Sequence, residues 1–507
     1  MEAQQAWRHY QQAQERFQEQ NLENARQEVT LALRLLPHMP EAENLLGVID
    51  GASGHPIEAE AHFSQALKIR ADYLPAHFNL ALICLKLKKV EMAKKELETV
   101  LRLDPSHAGA HYYLGLTLRD SNQYRQALMH FKVAHRIEPK NFATLMGVLE
   151  CQLYLKQQLE VEESFREAER LADIRDPQSL QLGALLASRG AYPLAIESFK
   201  KILDADPESY DANYNLALTF FLANDTKDAE ALLKHLLLEH NTAEAHNLLA
   251  QVHERNKQFL QSVTEYEQAA TLEPGNEDFR FDYCLMLVQH RALDFGISQL
   301  TQATEDFPKS GRIWVALGAA NYLSGDSDQA LKALFRATEV APHLGESYYY
   351  LGRLYSRVSA EEQKSIMETL KNHLVLEPED AWAHYFYGVG IFQQQQERGS
   401  KNFFEATAHF RKAIELNRHF SEAYFSLGLI DDAQGKTASS IMYFLRAANT
   451  DPTMPEAHYR LAIAYSRLGQ KEKAEVESER FQKLSTEAAD LKDKKRSEFF
   501  EIIRNVK

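Results

Sequence analysis

The sequence predicts an all-α fold: a solenoid of about 14 stacked helical hairpins, residues 1–486, closed by a C-terminal capping helix over 487–507. Three ladders of residues carry this expectation. Ala25, Ala59, Ala93, Ala127, Ala195 and Ala229 fall on one constant step or a multiple of it, with Val161 on the missing rung. The ladder resumes, after small shifts, at Ser262, Gly296, Ala330, Ala406, Ser440 and Ala474. Pro37, Pro105, Pro139, Pro207, Pro274, Pro308, Pro342 and Pro452 each lie at one fixed interval beyond a small residue, as Pro37 beyond Ala25. Ala13, Gly47, Ala81, Gly115, Gly183 and Gly318 each lie the same interval before one, as Ala13 before Ala25.

Within a repeat the apolar spacing is helical. Leu114, Leu116 and Leu118 lead to a polar turn at Ser121 and Asn122, and Ala127, Phe131 and Ala134 then mark one face of a second helix. Pro139 ends it, because proline cannot continue a helix. The repeat is therefore helix, turn, helix, stop. The small residues mark the crossing of the two helices, where only Gly, Ala or Ser lets the backbones come close, and Phe131 and its equivalents fill the space beside them.

This pattern resembles the tetratricopeptide repeat, a helical hairpin carrying an aromatic, a Leu-Gly, a Tyr, an Ala, a Phe and a closing Pro. The clearest match holds Trp314, Leu317, Gly318, Ala330, Ala337 and Pro342; Tyr322 and Phe335 come one place late. The resemblance implies a right-handed superhelix whose first helices line an inner groove.

Two repeats depart from the pattern. Residues 142–175 have Leu149 and Val161 where small residues stand elsewhere, and are expected to pack loosely and to host a bend or a joint. The stretch QQQQERGSKNFF, 393–404, is read as an insertion that lengthens the loop between two helices. Past residue 486, Phe499, Ile502, Ile503 and Val506 recur at helical spacing, which suits a cap with a polar outer face.

Composition excludes some functions. With 57 Lys plus Arg against 72 Asp plus Glu, the chain carries a net charge of −15 and repels phosphate backbones, so nucleic acid is not expected as a partner. Apolar runs are too short for a membrane-spanning helix. Met1 and its neighbours are polar, unlike a signal peptide, so the expected location is the cytoplasm, or the periplasm or exterior if a leader has been removed. Cys84, Cys151 and Cys284 form no CxxC pair and point to neither a disulfide framework nor a zinc site.

No catalytic residue, cofactor or metal is expected. The sequence holds no P-loop, GxGxxG, GxSxG or HExxH motif. His9, His77, His111, His246, His384 and His458 share the slot of Trp314 and recur because the repeat recurs, with neighbouring slots about 10 Å apart.

What repeats do supply is surface. One position per first helix, beside the Trp/His slot, is aromatic in Tyr112, Tyr214, Tyr349, Tyr385, Phe425 and Tyr459. The next position varies: Asn79, Tyr113, Asn215, Tyr350, Phe386 and Arg460; Arg353 lies one turn beyond Tyr349. These are the candidate binding residues of a non-catalytic scaffold that grips a protein or peptide segment, because rigid aromatics give contact area at low entropic cost. Asn79 and Asn215 are candidates for holding a partner's backbone. Tyr348, in the Trp/His slot, is expected to pack instead. A carboxylate clamp of Lys, Asn and Arg, which the resemblance would allow, lacks its lysine. The other reading is the recognition or assembly subunit of a glycosyltransferase, polysaccharide-export or pilus and envelope system whose catalytic chain is separate; a saccharide stacked on groove tyrosines is a third.

Overall fold

The computed structural model describes residues 2–172, 177–290, 292–397 and 403–487, which hold 28 α-helices, one short 3-10 turn and no strand. The chain forms two compact units, Met1–His240 and Asn241–Lys507. Among the described residues each contains seven hairpins, which matches the expected number of about 14. The irregular repeat lies inside the first unit, as Phe142–Tyr154 and Gln158–Leu171, with Leu149 and Val161 buried at the crossing. The division of the chain falls after His240 instead.

The small residues do what the spacing requires. A Cβ added at Gly428 would come within 2.5 Å of the Phe444 ring, and one at Gly47 within 2.7 Å of Phe63. Phe131 is pinned from two sides: a Cβ added at Gly115 would come within 2.8 Å of its ring and one at Gly147 of the following repeat within 2.7 Å. The core is accordingly a spine of rings and small residues running along each unit. In the second it is continuous from Phe281 to Ile430.

A fourth ladder governs the turns. Gln20, Gly54, Lys88, Asn122, Lys156, Gly190 and Asn224 all have positive φ and follow one another at the same step as the alanines; Gly325, Gly435 and Gly469 adopt positive φ later in the chain. Each reverses the chain after a first helix. The residue that follows donates its N–H to a carbonyl five residues back, as His55 to Asp50 at 2.9 Å and Gln123 to Leu118 at 2.8 Å, the Schellman closure that satisfies helix-end carbonyls. Lysine and glutamine at this position obscure the ladder in the sequence.

Two elements differ from expectation. The inserted stretch does not begin as a loop: Ala381–Glu397 is a helix of 17 residues, so the glutamines 393–396 extend it, while 398–402 lie outside the described residues. Gln, with its unbranched side chain, costs the helix little. The first helix Gly345–Leu354 is conversely short, 10 residues, and a 3-10 turn at Tyr355–Arg357 leads to the second helix Ala360–Leu376, 17 residues, started by a Ser359–Glu362 capping box. The proposed capping segment lies outside the described residues beyond Glu487.

Candidate functional site

The Trp/His slot is structural, and the reason is specific. Its side chain reaches back to the carbonyl six residues earlier: Trp314 Nε1 donates to Pro308 at 3.1 Å, His111 Nε2 to Pro105 at 3.0 Å, His384 Nε2 to Pro378 at 3.0 Å and the Tyr348 hydroxyl to Pro342 at 2.8 Å. The slot thus ties the first helix to the loop that precedes it. The other histidine nitrogen ties it to the second helix. His9 Nδ1 meets Glu28 at 2.7 Å, and His77, His246 and His458 meet Glu96, Glu265 and Glu477 at 2.5 Å, each partner 19 residues on. Tyr348 stacks on His373, ring centres 3.6 Å apart.

In two repeats the partner is another histidine, a contact that spacing between neighbouring slots did not reveal. His111 and His130 approach through Nδ1 at 2.9 Å, as do His384 and His409. Since Nε2–H of His384 is committed to Pro378, its Nδ1 accepts from His409. Burial, and then the neighbouring His384, push His409 down to about 4 from the usual 6.5. The unfolded chain therefore binds more protons in this range, so His409 contributes stability that is whole above pH 6.5 and is lost as pH falls toward 4. Solvent screening of this half-buried ring reduces the effect to on the order of 1 kcal/mol. His409→Gln, which keeps a donor toward His384 without titrating, is expected to flatten the thermal midpoint between pH 6.5 and pH 4; a midpoint that falls as steeply as in the unaltered protein contradicts this.

Buried thiols complete the interior. Burial pushes Cys84 up to about 11 and Cys151 and Cys284 up to about 12, far from a reactive thiolate. Among the described residues no three His, Cys, Asp or Glu side chains gather as metal ligands, and no helix is long and apolar enough to cross a membrane.

The aromatic positions beside the slot face outward to different degrees. In the first unit Tyr112 and Tyr113 meet edge to face at 5.3 Å, and Tyr112 lines a cavity of about 690 Å³ with Leu116, Met146 and Gln181. The ion pairs Arg119–Glu150, 3.0 Å, and Arg189–Glu150, 2.5 Å, cross the residues that border it. Tyr214 stacks on Tyr210 at 6.0 Å. The asparagines are already engaged: Asn79 donates to Asn44 at 3.0 Å and Asn215 to the Asp211 carbonyl at 2.8 Å.

In the second unit Tyr349, Tyr385 and Phe425 are half-buried and Tyr459 is 47% exposed. Trp382 braces Tyr349 edge-on at 4.8 Å, and Tyr459 tilts over Phe481 at 5.2 Å beside an apolar cavity of about 520 Å³ that includes Ile463 and Ala474. Arg353 is exposed. Arg460 faces Asp432 at 3.7 Å.

Two candidates are corrected. Tyr350 is fully buried and Phe386 is 7% exposed, so neither lines an open groove. One helical residue is about 100° of rotation, which turns Tyr350 into the core, with the Tyr349 ring edge-on at 5.1 Å and Tyr322 of the preceding first helix 6.4 Å off. Phe386 fills the notch that Gly352 leaves open. Burial raises the Tyr350 hydroxyl far above its ordinary value.

Comparison with family models agrees with the hairpins. Tetratricopeptide repeat models match residues 52–114, 186–252, 243–276, 288–343 and 455–487. The human protein O-mannosyl-transferase TMTC1 is 22% identical over 191 residues, 36% of this chain and 22% of that protein. Superkiller protein 3 of Schizosaccharomyces pombe is 21% identical over 295 residues, 55% of this chain and 21% of that protein. The chain thus spans about a fifth of the length of these curated relatives. Among solved structures, yeast Tom70 aligns over 92% of this chain and 96% of its own at 16% identity, with a TM-score of 0.38.

Proposed function

The chain belongs to the tetratricopeptide repeat family, and from that premise we propose that it is a non-catalytic scaffold whose first helices hold a segment of a partner protein. One observation carries the reading: successive first helices of the second unit present Tyr349, Tyr385, Phe425 and Tyr459 as partly open rings that are already held by neighbours such as Trp382, Phe410, Phe444 and Phe481. A ring fixed before binding loses little freedom on contact, so each contributes area at low entropic cost. Many modest contacts spread over several repeats add up through effective concentration. The first unit offers a second such surface at Tyr112 and Met146.

Changing Tyr349 and Tyr385 together to Ala is expected to weaken capture of a partner by about tenfold or more, the loss of two interface aromatics, while far-UV circular dichroism remains helical. Partners should be identified by affinity capture with the unaltered chain and compared, band by band, with the double variant. Undiminished capture of every partner would remove the groove from consideration.

A further inference from the structure

We propose that the chain's own C-terminal segment, beyond Glu487, docks with Phe499 in an open packing slot of the last hairpin, Pro455–Arg467 and Lys471–Thr486. The repeat defines the slot. In every earlier hairpin an apolar or aromatic side chain stands four residues after the residue at the helix crossing, from Val29 after Ala25 to Phe444 after Ser440, and is buried. In the last hairpin that position, four residues after Ala474, is Ser478. A hydroxymethyl group cannot fill the space of a ring.

The space is correspondingly open. Tyr459, Ile463, Ala474, Ser478 and Phe481 line a cavity of about 520 Å³. Its walls are exposed where their equivalents are not: Ala406 and Ser440 are fully buried, whereas Ala474 is only partly so and Tyr459 is 47% exposed. What the slot takes is read from its equivalents. Phe410 and Phe444 fill it in the two preceding hairpins, against Gly388 and Gly428. Where the register places Ala opposite, as at Ala81 and Ala217, the filler is Leu97 or Leu233, both fully buried. The occupant is therefore an apolar side chain of Leu or Phe size.

Another hairpin in the same register does not supply it. Phe481 stands where the two preceding hairpins have Ala413 and Ala447, both fully buried, and its ring leans on Tyr459 at 5.2 Å. One repeat beyond Leu461 and Ala464 the sequence holds Lys495 and Glu498. The apolar side chains come later, at Phe499, Ile502, Ile503 and Val506. Phe481 precedes Glu487 by about 9 Å of helical rise, and the twelve residues from Glu487 to Phe499 reach up to about 40 Å. Return to the slot is within that length. Docking there takes the stripe and the two rings out of water together. Tyr459 then closes the end of the array, and Tyr349, Tyr385 and Phe425 are left for a partner.

The test is hydrogen exchange read by mass spectrometry over residues 455–486 of the full chain and its variants. Truncation after Glu487 is expected to speed exchange of this hairpin about tenfold, the loss of one buried aromatic contact. Phe499→Ala should reproduce most of that acceleration, and Phe500→Ala, outside the stripe, should not. Ser478→Leu fills the slot from within. In the truncated chain it should restore slow exchange, and in the full chain it should leave Lys494, Lys495 and Arg496 more open to trypsin. Equal exchange in the full and truncated chains overturns the proposal, as does an effect of Phe500→Ala equal to that of Phe499→Ala. A truncated chain that Ser478→Leu does not rescue overturns it too, since the segment would then cover another face. Protection that rises with protein concentration and survives Phe499→Ala gives the slot to a second copy instead.

Discussion

Gly352→Leu is expected to cost the second unit about 3 kcal/mol, at the upper end of what overpacking a core does. The neighbour is the root of an aromatic side chain. A Cβ at Gly352 would overlap Cβ and Cγ of Phe386, which cannot swing aside as a ring edge can. At Gly47 or Gly115 the added atom would meet the outer atoms of Phe63 or Phe131, so the same change there is expected to cost less. Urea unfolding followed by circular dichroism measures the difference, read as a separate transition if the two units melt apart. Pairing Gly352→Leu with Phe386→Ala should recover more than half of the loss, because the two side chains then exchange the space. A single variant as stable as the unaltered chain would show that Phe386 does not occupy that notch.

Glu477→Leu is expected to cost a similar amount, about 3 kcal/mol, because it orphans a buried polar group. The Glu477 side chain is 8% exposed and that of His458 is 7%, and they meet at 2.5 Å; Arg480 reaches the other carboxylate oxygen at 3.0 Å. Removing the acid leaves a buried imidazole nitrogen without its partner. Replacing both, His458→Leu with Glu477→Leu, should destabilise less than the single change, since no orphaned polar group remains. Repeat arrays gain stability from nearest neighbours, so the loss should be concentrated in the hairpin Pro455–Arg467 and Lys471–Thr486. Hydrogen exchange of those two helices reports it; a loss spread evenly over the second unit would contradict the local account.

How far the sequence could be read follows from where each signal resides. Gly428 and Phe444, or Gly47 and Phe63, stand at one and the same separation within a hairpin, so their packing is legible as a repeated spacing. The turn ladder was present too, in Gly54, Gly190 and Gly325, but Lys88 and Lys156 hide it because the positive φ they adopt is a backbone state that no side-chain type announces. The pairing of a slot histidine with residue 19 on was equally periodic, and was missed because Glu28, Glu96 and Glu477 read as ordinary charges on a helix face.

The candidate site was legible only in part. Tyr349 and Tyr385 are half-buried and Arg353 is exposed, as a contact residue must be. Tyr350 and Phe386 are not, because the repeat that contains Gly352 has a short first helix and a long second one, and its notch is filled from the next repeat. Asn79 and Asn215, chosen for free amides, have spent donors on Asn44 and Asp211.

By itself, the sequence determined the hairpin, its number and the residues that close each crossing, since these depend on contacts within one repeat and recur with it. Tertiary structure alone decided which aromatics stay open and which histidines meet. Those outcomes depend on contacts between unlike repeats, where one glycine or one shortened helix changes what its neighbour can bury.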